Sequence, residues 1–238
     1  MFIKKAIPDI LTCCNLISGC IAVQQALSGH PEWAFFFIVT GAVFDFFDGF
    51  SARLLNVSTP IGKELDSLAD VVTFGFAPSA IIFDTLRSML CSQCLGCCCI
   101  NVIPYVAFVM AAFSALRLAK FNLDERQTSS FIGLPTPANA LFWASLLTGY
   151  ASYFRIGGFT AFVIIIVLLI LSCILLIAEF PMFALKFHTF RKWKGNEVRY
   201  IFIITSLLLI ILLGSNAFAV IIAWYVLLSF INNQITKK

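Results

Sequence analysis

Four aspartates stand in an otherwise apolar stretch: Asp45 and Asp48 are three residues apart, Asp66 and Asp70 four apart. On helices each pair shares one face, a turn apart. Two such helices running antiparallel would aim four carboxylates at one point. A carboxylate at membrane depth is costly and marks a functional site by default. Four uncompensated charges repel, so the arrangement calls for a divalent cation, and all-oxygen ligation favours Mg²⁺ or Mn²⁺ over zinc. Gly49 and Ala52 leave room for close approach of a ligand or backbone. Arg53 adds a planar fork suited to phosphate, and Pro60 and Gly62 shape the turn before the second pair. Together these residues describe a site for pyrophosphate chemistry. A cation can neutralise a leaving group while one carboxylate takes a proton from a nucleophile. Helix pairing or proton relay explains a single intramembrane acid well, but not four at these spacings with Gly49, Ala52 and Arg53 between them.

The elements that must position these residues are apolar helices. Hydrophobic residues make up 61% of the 238-residue chain and charged residues 12%, about half the usual charged share, and the mean hydropathy is +0.97. Apolar runs predict eight spans, at 8–28, 33–55, 65–88, 100–121, 135–154, 159–179, 199–213 and 216–232. The run from Ile7 carries Asp9, Asn15 and Gln24 and lacks a small-residue cleavage site, so it is expected to be the first span rather than a removable leader. With the N-terminus in the cytoplasm, fourteen Lys and Arg residues fall on the cytoplasmic side and only Arg87 and Arg155 outside. This is a strong positive-inside bias. Both termini and the four aspartates are then cytoplasmic, in a prokaryotic-type cytoplasmic (inner) membrane. We expect one all-α transmembrane domain over 1–238, with a catalytic front half to about residue 155 and additional hydrophobic helices from 156 onward.

Asp45–Asp70 matches every fixed position of a known signature: D, two residues, DG, two residues, AR, eight residues, G, three residues, D, three residues, D. On those residues the chain resembles the CDP-alcohol phosphatidyltransferase family. The resemblance implies a six-helix membrane core, a homodimer, and transfer of a phosphatidyl group from a CDP-lipid to an alcohol with release of CMP. It also implies that Asp45, Asp48 and Asp66 are metal ligands, that Asp70 is both a metal neighbour and the base for the acceptor hydroxyl, and that Gly49, Ala52, Arg53 and Gly62 line the CDP pocket. The opening, with Pro8, Asp9 and Thr12, is similar to the family's first helix, although Asp9 stands where asparagine is common. Asn15, polar within the first span, is open to two readings: an interhelical hydrogen bond or a cytidine contact.

The signature fixes the reaction, not the acceptor. Arg117 and Lys120 lie one turn apart at the depth of the aspartates, in Arg117-Leu-Ala-Lys120-Phe-Asn122. Functionally they make an anion subsite for a phosphate or for the carboxylate of an amino-acid acceptor; counter-ion and snorkelling roles compete. With Phe131-Ile-Gly-Leu-Pro-Thr-Pro137, this stretch is similar to the phosphatidylserine synthase branch of the family. The resemblance implies CDP-diacylglycerol and L-serine as substrates. Acceptors such as glycerol 3-phosphate or an inositol phosphate remain alternatives. So does a cation transporter, which would leave Gly49, Ala52 and Arg53 unexplained. A second known route to phosphatidylserine relies on paired histidine-x-lysine motifs; neither His30 nor His188 has a lysine two residues on.

Two features are not expected to serve catalysis. Cys91, Cys94 and Cys97–Cys99 have spacing that suits a metal or disulfides, but fall in an outer loop away from the aspartates. Cys13, Cys14, Cys20 and Cys173 read as small apolar fillers. The basic aromatic loop Lys186–Arg199 is expected to meet membrane lipid headgroups rather than nucleic acid.

Overall fold

The computed structural model describes residues 2–57, 59–93, 102–123, 131–179, 181–182 and 197–236. Its helices are α1 (Phe2–Leu27), α2 (Pro31–Leu55), α3 (Pro60–Asp70), α4 (Ala77–Gln93), α5 (Val109–Leu123), α6 (Thr136–Gly149), α7 (Ala151–Ile156), α8 (Gly158–Ile177), α9 (Glu197–Leu213) and α10 (Ala217–Thr236). A π-helical stretch, Val71–Phe76, joins α3 to α4 without a break, and a 3₁₀ turn at Ile103–Phe108 leads into α5. The one strand pairing among the described residues is two residues long: β1 (Phe131–Ile132) runs antiparallel to β2 (Pro181–Met182). Cys94, Cys97–Cys99 and most of the basic loop lie outside the described residues.

The protein is an all-α, multi-pass membrane protein. Among the described residues, six helical stretches are long and apolar enough to cross a membrane. Each of the eight expected segments falls on helix, but two regions differ in form. Helix α6 has 14 residues, short of the roughly 20 that span a bilayer. Residues Arg199–Asn233 form one apolar stretch of 35 residues, broken by a 3₁₀ turn at Gly214–Asn216. The outer faces are strongly apolar: Ile211 is 73% exposed and Leu212 69%, which fits contact with lipid rather than water.

Lipid is as apolar as leucine, so helix association here depends on close packing and buried hydrogen bonds. The α1–α2 seam shows this, with Gly19, Ala22 and Ala26 on α1 and Ala34, Ile38 and Gly41 on α2 all buried. Thr73, in the π-helical stretch, fills the notch left by the two glycines. A methyl on Gly19 would run into the Thr73 hydroxyl and stand 2.9 Å from its Cα; one on Gly41 would stand 2.5 Å from Thr73 Cγ2. Neither neighbour can retreat, because Thr73 is fully buried and donates a 3.0 Å hydrogen bond to the Asn15 carbonyl. Gly19→Ala is therefore expected to destabilise the bundle by about 1–3 kcal/mol, read as a lowered unfolding midpoint in detergent. An unchanged midpoint would mean that α1 can shift freely.

Helix α6 is central. Trp143 is fully buried and donates to Ser172 Oγ of α8 at 3.0 Å. Ile165 and Leu169 of α8 share one core with Phe74, Ile81 and Met110, so α8 belongs to the same packed body as the first helices. Cys173 is buried in that core, whereas Cys13 and Cys20 are exposed on the outer face of α1. They therefore fill no interior space, because three-residue steps along α1 place Thr12, Asn15 and Ser18 inward instead.

Candidate active site

The two carboxylate pairs are brought together by a tight reversal between α2 and α3. Asn56 ends α2 in the left-handed region (φ 50°), its backbone N–H donating to the carbonyls of Ala52 and Arg53. Asparagine tolerates that conformation better than most residues. Thr59 then caps α3, its hydroxyl accepting from the Gly62 N–H at 2.9 Å, with Pro60 in the first turn. Gly62 is needed here for space: a Cβ would stand 2.9 Å from Thr59 Oγ1 and 3.0 Å from Asp9 Oδ1.

Across this reversal, carboxylate oxygens of Asp45, Asp48 and Asp66 lie within 4.8 Å of one another. Asp48 is buried, and Asp66 Oδ1 is a buried oxygen without a hydrogen-bond partner. Buried acceptors are almost always satisfied. An orphaned carboxylate oxygen facing two more carboxylates therefore fits a hard divalent cation. Asp70, one turn beyond Asp66 on α3, is not among the three that close within that distance. It is 8% exposed, accepts a 3.2 Å hydrogen bond from Asn15 Nδ2, and remains within electrostatic reach of Asp45 and Asp66. The four acids thus divide into a trio and a neighbour.

A cavity of about 220 Å³ opens beside the trio. Gly49, Ala52 and Gly62 line it with Asp48 and Asp66. Arg53 is exposed and outside the lining, and Asn15 is fully buried behind the site. The cavity is also lined by residues the sequence did not single out for the site, among them Thr12, Thr59 and Lys63. Thr12 donates to Asp48 Oδ2 at 2.7 Å. Its signal was available, since it lies three residues before Asn15 and on the same helical face.

Arg117 and Lys120 are separated by the fold. Arg117 is 8% exposed, and Lys120 is exposed. The Arg117 guanidinium donates to Thr136 Oγ1 at 3.4 Å, lies 5.7 Å from the centre of the Phe121 ring, and is within electrostatic reach of Asp70. Its Nε is buried with no partner. Thr136 reaches this position because β1 and the turn after it tie the start of α6 to the end of α8. Gly133 takes φ +77°, and the Leu134 N–H donates to the Leu175 carbonyl at 3.0 Å. Asn122 closes the same end of the bundle: its Nδ2 donates to Ser67 Oγ at 2.8 Å, and its carbonyl accepts from Lys63 Nζ at 3.1 Å.

Comparison with known proteins agrees with this geometry. A relative from Bacillus subtilis, named CDP-diacylglycerol–serine O-phosphatidyltransferase, is 39% identical over 131 residues, covering 55% of this chain and 69% of the relative. Proteins of the same name from Helicobacter pylori and Methanocaldococcus jannaschii are 28% and 29% identical, covering 94% and 86% of this chain and 89% and 83% of their own lengths. The CDP-alcohol phosphatidyltransferase profile matches residues 5–179, a span that holds all four aspartates, the cavity and Arg117, and the chain belongs to that family.

Proposed function

We propose that the chain transfers the phosphatidyl group of CDP-diacylglycerol to the hydroxyl of L-serine, giving phosphatidylserine and CMP. The enzyme is a membrane transferase of phospholipid biosynthesis, and the relatives named for this reaction support the acceptor. The observation that carries the mechanism is the Asp45–Asp48–Asp66 trio beside a cavity lined by Gly49, Ala52 and Gly62. The trio would hold a divalent cation, Mg²⁺ or Mn²⁺, which would supply positive charge to stabilise the pyrophosphate and CMP as it leaves. The small residues admit the nucleotide end of the donor, with Arg53 at the rim. Asp70, outside the trio, takes the proton as the serine oxygen bonds to the lipid-side phosphorus and the bond from that phosphorus to CMP breaks. Arg117 offers its unpartnered Nε edge to the serine carboxylate, with Lys120 adding positive charge at the surface. The site faces the cytoplasm of an inner membrane, consistent with the positive-inside bias. The catalytic half runs to about residue 155, with further helices beyond, in a homodimer.

The test is CMP release by purified protein with CDP-diacylglycerol and Mn²⁺ or Mg²⁺, comparing L-serine, glycerol 3-phosphate, inositol and inositol phosphate. Serine-dependent release that chelator abolishes is expected; release only with another acceptor would overturn the serine assignment. Arg117→Lys is expected to raise KM for serine about tenfold or more, because a point charge cannot replace the planar fork, while KM for CDP-diacylglycerol holds. A rise in the donor KM instead would move Arg117 to the nucleotide end.

A further inference from the structure

Helix α1 carries two polar side chains that reach the carboxylates, and they reach different ones. Thr12 is 3% exposed and Asn15 fully buried, and three residues on a helix put them on one face. Thr12 Oγ1 lies 2.7 Å from Asp48 Oδ2 and 3.0 Å from the Pro8 carbonyl. A hydroxyl has one proton to give, and the shorter contact, to a carboxylate, is the charge-assisted one. Asn15 Nδ2 donates to Asp70 Oδ1 at 3.2 Å. One partner is a member of the trio and the other is the acid outside it.

Asn15 is itself held from three sides. Its carbonyl accepts from Thr73 Oγ1 at 3.0 Å, Thr73 is wedged against Gly19 and Gly41, and a Cβ on Gly41 would stand 2.9 Å from Asn15 Oδ1. The π-helical stretch begins at Val71, directly after Asp70. Such insertions occur mostly at functional sites, and this one places Thr73 under Asn15. The Thr73 bond fixes the Asn15 backbone, and the side chain's one hydrogen bond runs from its NH₂ to Asp70, its Oδ1 being buried without a partner and outside the cavity lining.

We infer that α1 supplies two positioning residues with separate tasks: Thr12 orients Asp48 for the cation, and Asn15 orients Asp70 for the acceptor hydroxyl. This rests on the reaction proposed above, and it replaces a nucleotide contact as the role of Asn15. Neither residue touches the reacting atoms. Each fixes the rotamer of a carboxylate that does, as outer-shell hydrogen bonds commonly do at metal and catalytic sites.

The two tasks predict a crossed pattern of defects in the full-length protein. Mn²⁺ affinity is measured without substrate, from the free-ion electron paramagnetic resonance signal, and kcat and KM are measured from CMP release. Thr12→Val, which keeps the shape and removes the hydroxyl, is expected to weaken Mn²⁺ binding about 10- to 100-fold, and Thr12→Ser to restore it. Asn15→Leu is expected to lower kcat about 10- to 100-fold with Mn²⁺ affinity and KM for CDP-diacylglycerol unchanged. If the leucine crowds Gly41 and the protein fails to assemble, Asn15→Ala gives the same reading. Unaltered Mn²⁺ affinity in Thr12→Val, or a raised donor KM with kcat intact in the Asn15 variants, overturns the inference. Wild-type protein that neither binds Mn²⁺ nor releases CMP would instead overturn the reaction on which it rests. A wild type active in both, with Asp48→Ala inactive and the α1 variants unaffected, would remove the positioning roles alone.

Discussion

Asp70→Asn is expected to reduce kcat by about three orders of magnitude while leaving CDP-diacylglycerol binding and Mn²⁺ affinity nearly intact. The magnitude follows from the role: a positioned general base contributes roughly 10²- to 10⁴-fold, and an amide of the same shape cannot take a proton. The selectivity follows from the geometry. Asp45, Asp48 and Asp66 approach one another within 4.8 Å, whereas Asp70 is not among the three, accepts from Asn15 and lies outside the cavity lining. Removing its charge should therefore leave the cation trio and the nucleotide surface in place. The measurement is single-turnover CMP release alongside equilibrium binding of the CDP-lipid. Undiminished turnover would sink the assignment of Asp70 as base, and a large loss of Mn²⁺ affinity would instead place Asp70 among the ligands. A cation transporter, by contrast, would bind no CDP-lipid in either form.

The second large effect is expected at the trio. Asp45→Asn should lower activity by at least about two orders of magnitude, since charge stabilisation of a transferring phosphoryl group is commonly the largest catalytic contribution. Stability gives an independent readout. Carboxylate oxygens within 4.8 Å of one another repel by at least about 3 kcal/mol at an effective dielectric near 20, and a bound cation would turn that repulsion into attraction. A ligand that binds only the folded state raises its stability by mass action. Mn²⁺ should accordingly raise the unfolding midpoint of the wild type, and chelator should reverse the rise. In Asp45→Asn the Mn²⁺-dependent rise should largely vanish, while the metal-free midpoint should be no lower than that of the wild type, because one repelling charge is gone. A variant that keeps the full Mn²⁺ shift would exclude Asp45 as a ligand. A variant with a much lower metal-free midpoint would show that Asp45 has a packing role the present geometry does not give it.

Much of the site was legible before any fold was known, because helical periodicity is local. Spacings of three and four put Asp45 with Asp48 and Asp66 with Asp70 on shared faces, and Pro60 and Gly62 marked the reversal between them. Apolar length similarly marked the membrane class and most of the long helices among the described residues, but not the short α6 or the separate α7. The same rule failed at Arg117 and Lys120. Three residues on a helix differ by about 60° in direction, and at the edge of a packed face that is enough to bury one and expose the other. Arg53 likewise follows the signature but ends exposed and outside the cavity lining, although Ala52 beside it on α2 lines the cavity.

The sequence by itself determined the membrane class, the helical elements, the family and the acid set, since all four depend on composition and on spacing within single helices. Tertiary structure alone decided how that set divides. Whether Asp70 closes with the other three depends on how α3 packs against α1 and α2, which spacing along one helix does not fix; the π-helical stretch follows from Val71 and shifts the register of the residues after it without any mark in the residue pattern. Which carboxylate meets Thr12 and which meets Asn15 depends on how closely α1 settles between α2 and the π-helical stretch, a distance set by Gly19 and Gly41 closing on Thr73. The placement of Thr136 beside Arg117 depends on β1 pairing with β2, some 50 residues away in the chain. Spacing along one helix fixes a face; only packing between helices fixes what that face meets.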